Sequence, residues 1–297
     1  MRWREVAVAA ALVGIVGLDT GLVVFHDRAT PYDAEQALSD FRAQAGAEGV
    51  PAATAPGAPS PTASPAERAA RAAASAVAAP LTPSARPRPS QATAAVPEVT
   101  AGVYRYATSG HEEVNVLGGA RHDYPAETAM SYRHSGCGSE DRWQPLKERY
   151  SLNTLCRGNH GLEAGESIQR REFFGQSEEQ VLVCGPGLVI VPTRPRPGAA
   201  TAGSCKSDDT VVRLTVRVVD VADVTVGGRR TASVHVHVDG RLTGSTRGST
   251  SREEWFTSSG LLLRGTATTE TDRDTSAGVV HYSETYDIRL ESLEPQR

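Results

Sequence analysis

The sequence predicts a mainly β protein held outside the cytoplasm. The expected architecture is one antiparallel, strongly curved sheet, half-barrel or barrel-like, preceded by a single transmembrane helix and a disordered linker. Three observations carry this reading. Residues 6–25 (VAVAAALVGIVGLDTGLVVF) form an apolar run of about the 20 residues that a membrane-crossing helix needs. Ten of the 18 prolines then fall between Pro51 and Pro97. From about Thr100 onward, apolar and polar residues alternate with the period of strands.

The apolar run is interrupted only by Asp19 and Thr20, near its outer end. Arg2 and Arg4 precede it, whereas Asp27, Asp33 and Glu35 surround Arg28 after it. The Lys/Arg bias therefore places residues 1–5 in the cytoplasm and everything after Phe25 outside. The competing reading is a cleaved signal peptide, whose apolar part would be Val6–Leu18. No small-x-small cleavage pattern follows, and no cysteine stands there for lipidation. The membrane is thus an expected partner through residues 6–25.

Residues 26–42 predict one short juxtamembrane helix. Asp33 and Gln36 form a capping-box pattern, and Ala37, Leu38 and Phe41 share a face. That face is expected to rest on lipid headgroups, or alternatively to dock on a partner or on the distal domain. Residues 43–99 read as an Ala/Pro-rich disordered linker, with no aromatic between Phe41 and Tyr104. Such a segment cannot bury enough apolar surface to offset its ordering entropy. Extended at ~3.1 Å per residue it would reach on the order of 150 Å, so it is expected to act as a spacer.

Residues 100–297 read as one extracytoplasmic β domain. Gly102–Thr108 and His111–Leu117 alternate up to Gly118-Gly119, a hairpin signal. Thr128–His134, Glu148–Cys156, Glu163–Phe174, Gln180–Cys184 and Leu188–Val191 follow as strands, and Pro192–Ser204 reads as a loop. Thr210–Val219 and Asp223–Val226 lead into a second Gly-Gly turn, Gly227-Gly228. Ala232–Val238, Gly240–Gly248, Arg252–Thr257 and Leu261–Thr268 come next. Glu270–Asp274 reads as a charged turn, and Gly278–Leu293 as the last strand. The two Gly-Gly turns, with Trp143 and Trp255 at similar distances beyond them, hint at an internal duplication.

The chain has 297 residues and a formal net charge of −4, with no stripe of basic residues, so a nucleic-acid partner is not expected. Four cysteines outside the cytoplasm read as two disulfides. Among the three possible pairings, Cys137–Cys156 and Cys184–Cys205 are preferred, because each closes a short local excursion. No C-x₂-C spacing supports zinc, and no cofactor is expected.

The tail VTVGGRRTASVHVHVDGRLTG…REEWFTSSGLLLRG…HYSETYDIRLESL resembles the closing part of the periplasmic lipoprotein carriers and their mycobacterial-type relatives. The shared order is a hairpin, a Trp-bearing strand, a Ser-Gly turn, GLLLR and a long final strand. The layout of anchor, Ala/Pro tether and GVYRYATSG is similar to uncharacterised membrane-anchored proteins of high-GC Gram-positive bacteria. The carrier resemblance covers Val224–Leu293 and implies a half-barrel with an apolar concave face. The covering helices of the carriers are not evident here.

Catalytic motifs are sparse. His111-Glu112-Glu113 lacks the second His of H-E-x-x-H, and neither G-x-S-x-G nor a P-loop occurs. Glu172, Glu178 and Glu179 read as a solvated strand end rather than a glycosidase pair. His235 and His237 share one strand face, opposite Val234, Val236 and Val238, and no third metal ligand is identifiable in the sequence. Trp143, Trp255, Tyr104, Tyr106, Tyr282 and Tyr286 read first as core and sheet packing. Their sharper reading is the lining of a groove. The expected function is therefore a non-enzymatic, membrane-tethered binding or interaction module of the cell envelope. Its ligand would be a lipid or an envelope protein. The alternatives are a lipid or lipoprotein carrier, and an envelope hydrolase.

Overall fold

The computed structural model describes residues 27–48, 97–275 and 278–297. The expected transmembrane segment 6–25 and most of the expected linker lie outside these residues. Among the described residues no helix is long and apolar enough to cross a membrane.

One helix, α1 (Ala34–Glu48), precedes fourteen strands. These are β1 (Gly102–Val114), β2 (Ala120–Asp123), β3 (Glu127–His134), β4 (Gly138–Leu146), β5 (Arg149–Arg157), β6 (Gly161–Phe173) and β7 (Gln176–Cys184). β8 (Val189–Pro192), β9 (Ala200–Lys206), β10 (Thr210–Val226), β11 (Arg229–Gly244), β12 (Thr246–Phe256), β13 (Leu262–Thr275) and β14 (Gly278–Leu290) complete them. All belong to one antiparallel sheet. β14 pairs with β1 from Tyr106↔Leu290 to Val114↔Tyr282, so the sheet closes on itself. β2 and β8 lie off the closed path, on β1 and β6. Closure removes the free sheet edges that an open half-barrel would leave.

The strands follow from alternation, and the turns from glycine. Gly227 and Gly228 have φ of +53° and +77°, as a two-residue type I′ hairpin between Val226 and Arg229 requires. Gly260, at φ +92°, turns the chain at Thr257–Leu261, where the TSSG sequence places it. Three strands were not legible. β2 (ARHD) is only four residues long and carries three charged or titratable side chains, β4 (GSEDRWQPL) carries charges and a proline, and β9 (ATAGSCK) lies in the stretch that reads as a loop. Glu270–Asp274 is no turn either, because β13 continues through it and the reversal comes beyond Thr275.

The alternate inward residues fill the ring. At one end the packing is apolar, with Tyr104, Tyr132, Leu188, Leu263 and Ile288 nearly inaccessible. Both expected disulfides are present. Cys137–Cys156 joins the β3–β4 turn to β5. Cys184–Cys205 joins β7 to β9, whose pairing consists only of Val183↔Lys206 and Cys184↔Cys205. The topology repeats a meander: β10 to β14 follow one another in the sheet, as do β3 to β7. The two tryptophans are not equivalent within it, since Trp143 points inward and Trp255 lies on the outer face.

The segment before the β domain is bound to it. Asp33 and Gln36 make the capping box, with Gln36 N–H donating to Asp33 Oδ1 at 2.8 Å and Asp33 N–H donating to Gln36 Oε1 at 3.3 Å. Ala34 and Ala37 are buried against Val103 and Ala129, with Leu38 and Phe41 beside them. Arg133 stacks its guanidinium over the Phe41 ring at 5.0 Å. The apolar stripe of α1 therefore faces the sheet.

Candidate functional site

The candidate site is a depression of about 400 Å³ on the outer face of the ring. Four strands build it: β12, β13, β14 and β1. Because side chains alternate, directly paired residues fall into rows across these strands. One row runs His237–Glu253–Thr266–Asp287–Ser109. The next runs Asp239–Ser251–Thr268–Thr285–His111. Ser109, Ser251, Thr266, Thr268 and Thr285 line the depression with hydroxyls. Gly110 shapes it. At φ +143°, a Cβ there would stand 2.2 Å from the Thr285 carbonyl oxygen, so only glycine lets β1 approach β14 in this conformation.

The two carboxylates of the site are already engaged. Glu253 takes His235 Nε2 on one oxygen and His237 Nδ1 on the other, each at 2.7 Å. His237 Nε2 is also 3.0 Å from Asp239. Burial works against the charged His237 imidazole, but Glu253 and then Asp239 outweigh it and raise its pKa above the ordinary value. Asp287 is held by Arg264 at 3.3 Å and by Arg289 at 3.0 Å. His235 stacks on Trp255 at 4.0 Å, and Arg264 lies over the same indole at 4.9 Å. The carboxylates of the face are thus paired, and the face is rich in hydroxyls. In the Glu253→Gln variant we expect the His237 pKa to fall toward the ordinary imidazole value, read by NMR titration.

The six aromatic groups singled out by sequence separate. Tyr104, Tyr106, Trp143 and Tyr282 are buried inside the ring. Tyr286 faces inward beside Trp143, with ring centroids 4.8 Å apart. Tyr106 O–H donates to the Leu262 carbonyl at 2.7 Å, and Leu262 N–H donates to Tyr132 Oη at 3.1 Å. Trp255 alone of the six reaches the outer face, and Tyr286 is among the residues that line the depression. Glu172, Glu178 and Glu179 do not converge: they meet Arg170, Arg273 and Tyr150 respectively.

A second polar constellation, not legible in sequence, lies inside the ring at the end opposite the apolar packing. Glu112, His122, Arg149 and Glu284 are all at least 96% buried, with exposures of 0%, 2%, 3% and 4%. His122 Nδ1 is 3.1 Å from Glu112 Oε1, and its Nε2 is 3.1 Å from Asp27 Oδ2. Tyr282 O–H donates to Glu112 Oε2 at 3.1 Å, and Tyr124 O–H donates to Glu284 Oε1 at 2.6 Å. Arg149 bridges the two acids, 3.1 Å from Glu284 and 3.8 Å from Glu112. Burial opposes the charged form of Glu284, but Arg149 and Arg171 outweigh it and hold its pKa below the usual carboxylate range. Burial likewise opposes charge on His122, and Glu112 and Asp27 raise its pKa nonetheless. On β4, burial pushes the Asp141 carboxyl up to about 7, against the hydrogen bond from Asn153.

At the depression Thr285 Oγ1 lies 3.4 Å from His111 Nδ1, and His111 Nε2 lies 3.4 Å from Glu113 Oε1, an order of hydroxyl, imidazole and carboxylate whose contacts are longer than those of an acyl-transfer triad. Among the described residues no group of three or more His, Cys, Asp or Glu is arranged to hold a metal ion. No family model matches the chain, and neither a curated protein nor a solved structure matches it.

Proposed function

We propose that the protein is a non-enzymatic binding module of the cell envelope, and that the outer depression is its recognition surface. The single observation that carries this is the pair of hydroxyl-lined rows across β12, β13, β14 and β1. Five Ser and Thr hydroxyls offer donors and acceptors, while the carboxylates beside them are neutralised by His and Arg. Such a surface suits a neutral, polyhydroxylated ligand, and we assign it to a carbohydrate strand of the envelope. The two disulfides support a location outside the reducing cytoplasm. The resemblance to lipoprotein carriers asks for an apolar concavity. Here the apolar wall faces inward and is filled by packed side chains.

The test is binding of purified envelope polysaccharides to the full chain in detergent, measured by calorimetry. Thr266→Val with Thr268→Val replaces two hydroxyls by methyls of the same shape. Each lost hydrogen bond is worth about 1 kcal/mol, so the pair should weaken binding by roughly 10–30-fold while leaving the unfolding midpoint unchanged. Unaltered affinity in this variant, or no carbohydrate binding by the wild type, overturns the proposal.

A further inference from the structure

We propose that the rim of the ring carrying Leu117, Phe174 and Val279 rests on the lipid bilayer. The domain would then be seated against the membrane, and residues 49–96 would form an excursion between two parts of one domain rather than a spacer. The proposal rests on the reading of residues 6–25 as a membrane anchor.

The first support is where the chain enters the described structure. Asp27 is fixed to His122, and the residues after it are stitched to the β4–β5 turn. Thr30 N–H donates to Glu148 Oε2 at 2.8 Å, Lys147 N–H donates to the Thr30 carbonyl at 2.9 Å, and Tyr32 N–H donates to the Pro145 carbonyl at 3.2 Å. α1 then packs on β1 and β3. Phe25, the last residue of the apolar run, is two residues from Asp27. Two residues span at most ~7 Å, so an anchor ending at Phe25 would hold Asp27, and the strands bound to it, close to the membrane surface. No length of linker downstream can move the domain away from it.

The second support is the rim itself. Leu117 and Val279 are 68% and 54% exposed. Their chain neighbours Val116 and Val280 pack with Ala120 and Phe174 on Val114, Phe173 and Tyr282, which brings the three turns together. Leu117 and Phe174 occupy left-handed backbone conformations, with φ of 52° and 53°. That region is strained for large side chains and ordinarily held by Gly or Asn. Two exposed or half-exposed apolar side chains at strained turn tips cost stability in water. Insertion among lipid headgroups and upper acyl chains removes the exposure part of that cost. The charged neighbours leave no excess of cations: Arg121 is shared by Glu113 and Asp123, and Arg247 pairs with Asp274. Contact therefore depends on apolar insertion rather than on anionic lipid. Ser109 is eight positions before Leu117 on the same hairpin arm, which at ~3.3 Å per residue holds the outer depression about 25 Å from the bilayer.

The experiment uses the full chain in phosphatidylcholine nanodiscs that carry a nitroxide-labelled lipid, with methyl-labelled Leu and Val. We expect strong relaxation broadening of the Leu117, Val279 and Val280 methyls, and little at Val181, Val183, Val219 and Val221, which are exposed elsewhere. In Leu117→Glu with Val279→Glu, broadening at Val116 and Val280 should drop several-fold while the core signals stay unchanged. A chain that does not enter nanodiscs at all removes the anchor reading and the proposal with it. A chain that enters them but shows unbroadened rim methyls overturns the rim alone.

Discussion

Arg149→Met should cost about 3–5 kcal/mol of folding stability in urea denaturation. The guanidinium lies between Glu112 and Glu284 inside the ring. Removing it leaves two carboxylates in a medium that solvates them poorly, with the Tyr124 and Tyr282 hydroxyls and the His122 imidazole as their hydrogen-bond partners. The cost comes from uncompensated charge rather than lost packing, so the triple variant Glu112→Gln, Arg149→Met, Glu284→Gln should recover most of it. A single-variant loss below about 1 kcal/mol would show that Arg149 does not balance these acids. The same network predicts a two-sided pH dependence. Glu284 has a depressed folded pKa, so its contribution is present above the unfolded carboxylate value of about 4.3 and is lost as pH falls through the folded value. His122 has a raised folded pKa, so its contribution is present below about 6.5 and is lost as pH rises through the folded value. Stability from this cluster should therefore peak in mildly acidic solution, and Arg149→Met should flatten the acid limb.

Cys184→Ser with Cys205→Ser should remove about 3 kcal/mol, as expected for a cross-link closing a loop of about 20 residues. The position of the loss is the more informative readout. β7 and β9 share only two register positions, so the disulfide is the main fastening of the ring at this seam. Hydrogen exchange should quicken along β9 and the Val181–Cys184 part of β7, with the β10–β14 meander still protected. The paired variant Cys137→Ser, Cys156→Ser should behave differently, because β4 and β5 pair from Gly138↔Cys156 to Trp143↔Ser151 beside that bond. Its exchange should rise only at the β3–β4 turn. Equal protection of β9 in both variants would mean that the seam holds without its disulfide.

The curved antiparallel sheet was legible because strand alternation survives even in a single sequence, and the cysteine pairing followed from local spacing. Closure of the ring was not legible. It depends on β1 meeting β14 across some 170 residues, and no local pattern encodes that register. The ionic cluster was hidden for a related reason. His111–Leu117 reads as an alternating strand, but nothing local says that Glu112 is an inward member, fully buried. The candidate site escaped notice because it is made of common Ser and Thr residues from four strands, none of them distinctive alone. Trp143 and Trp255 show the same limit. They occupy comparable places in sequence, but their strands present them to opposite faces of the sheet.

The most direct test of the recognition surface is an NMR titration of the full chain in nanodiscs with soluble fragments of envelope polysaccharide, followed through amide and threonine methyl signals. The account predicts saturable shifts confined to Ser109–His111, Ser251–Glu253, Thr266–Thr268 and Thr285–Asp287, with the Thr266, Thr268 and Thr285 methyls moving most. Saturable shifts that instead cluster at the apolar end of the ring, or a spectrum unchanged at millimolar carbohydrate, would contradict it.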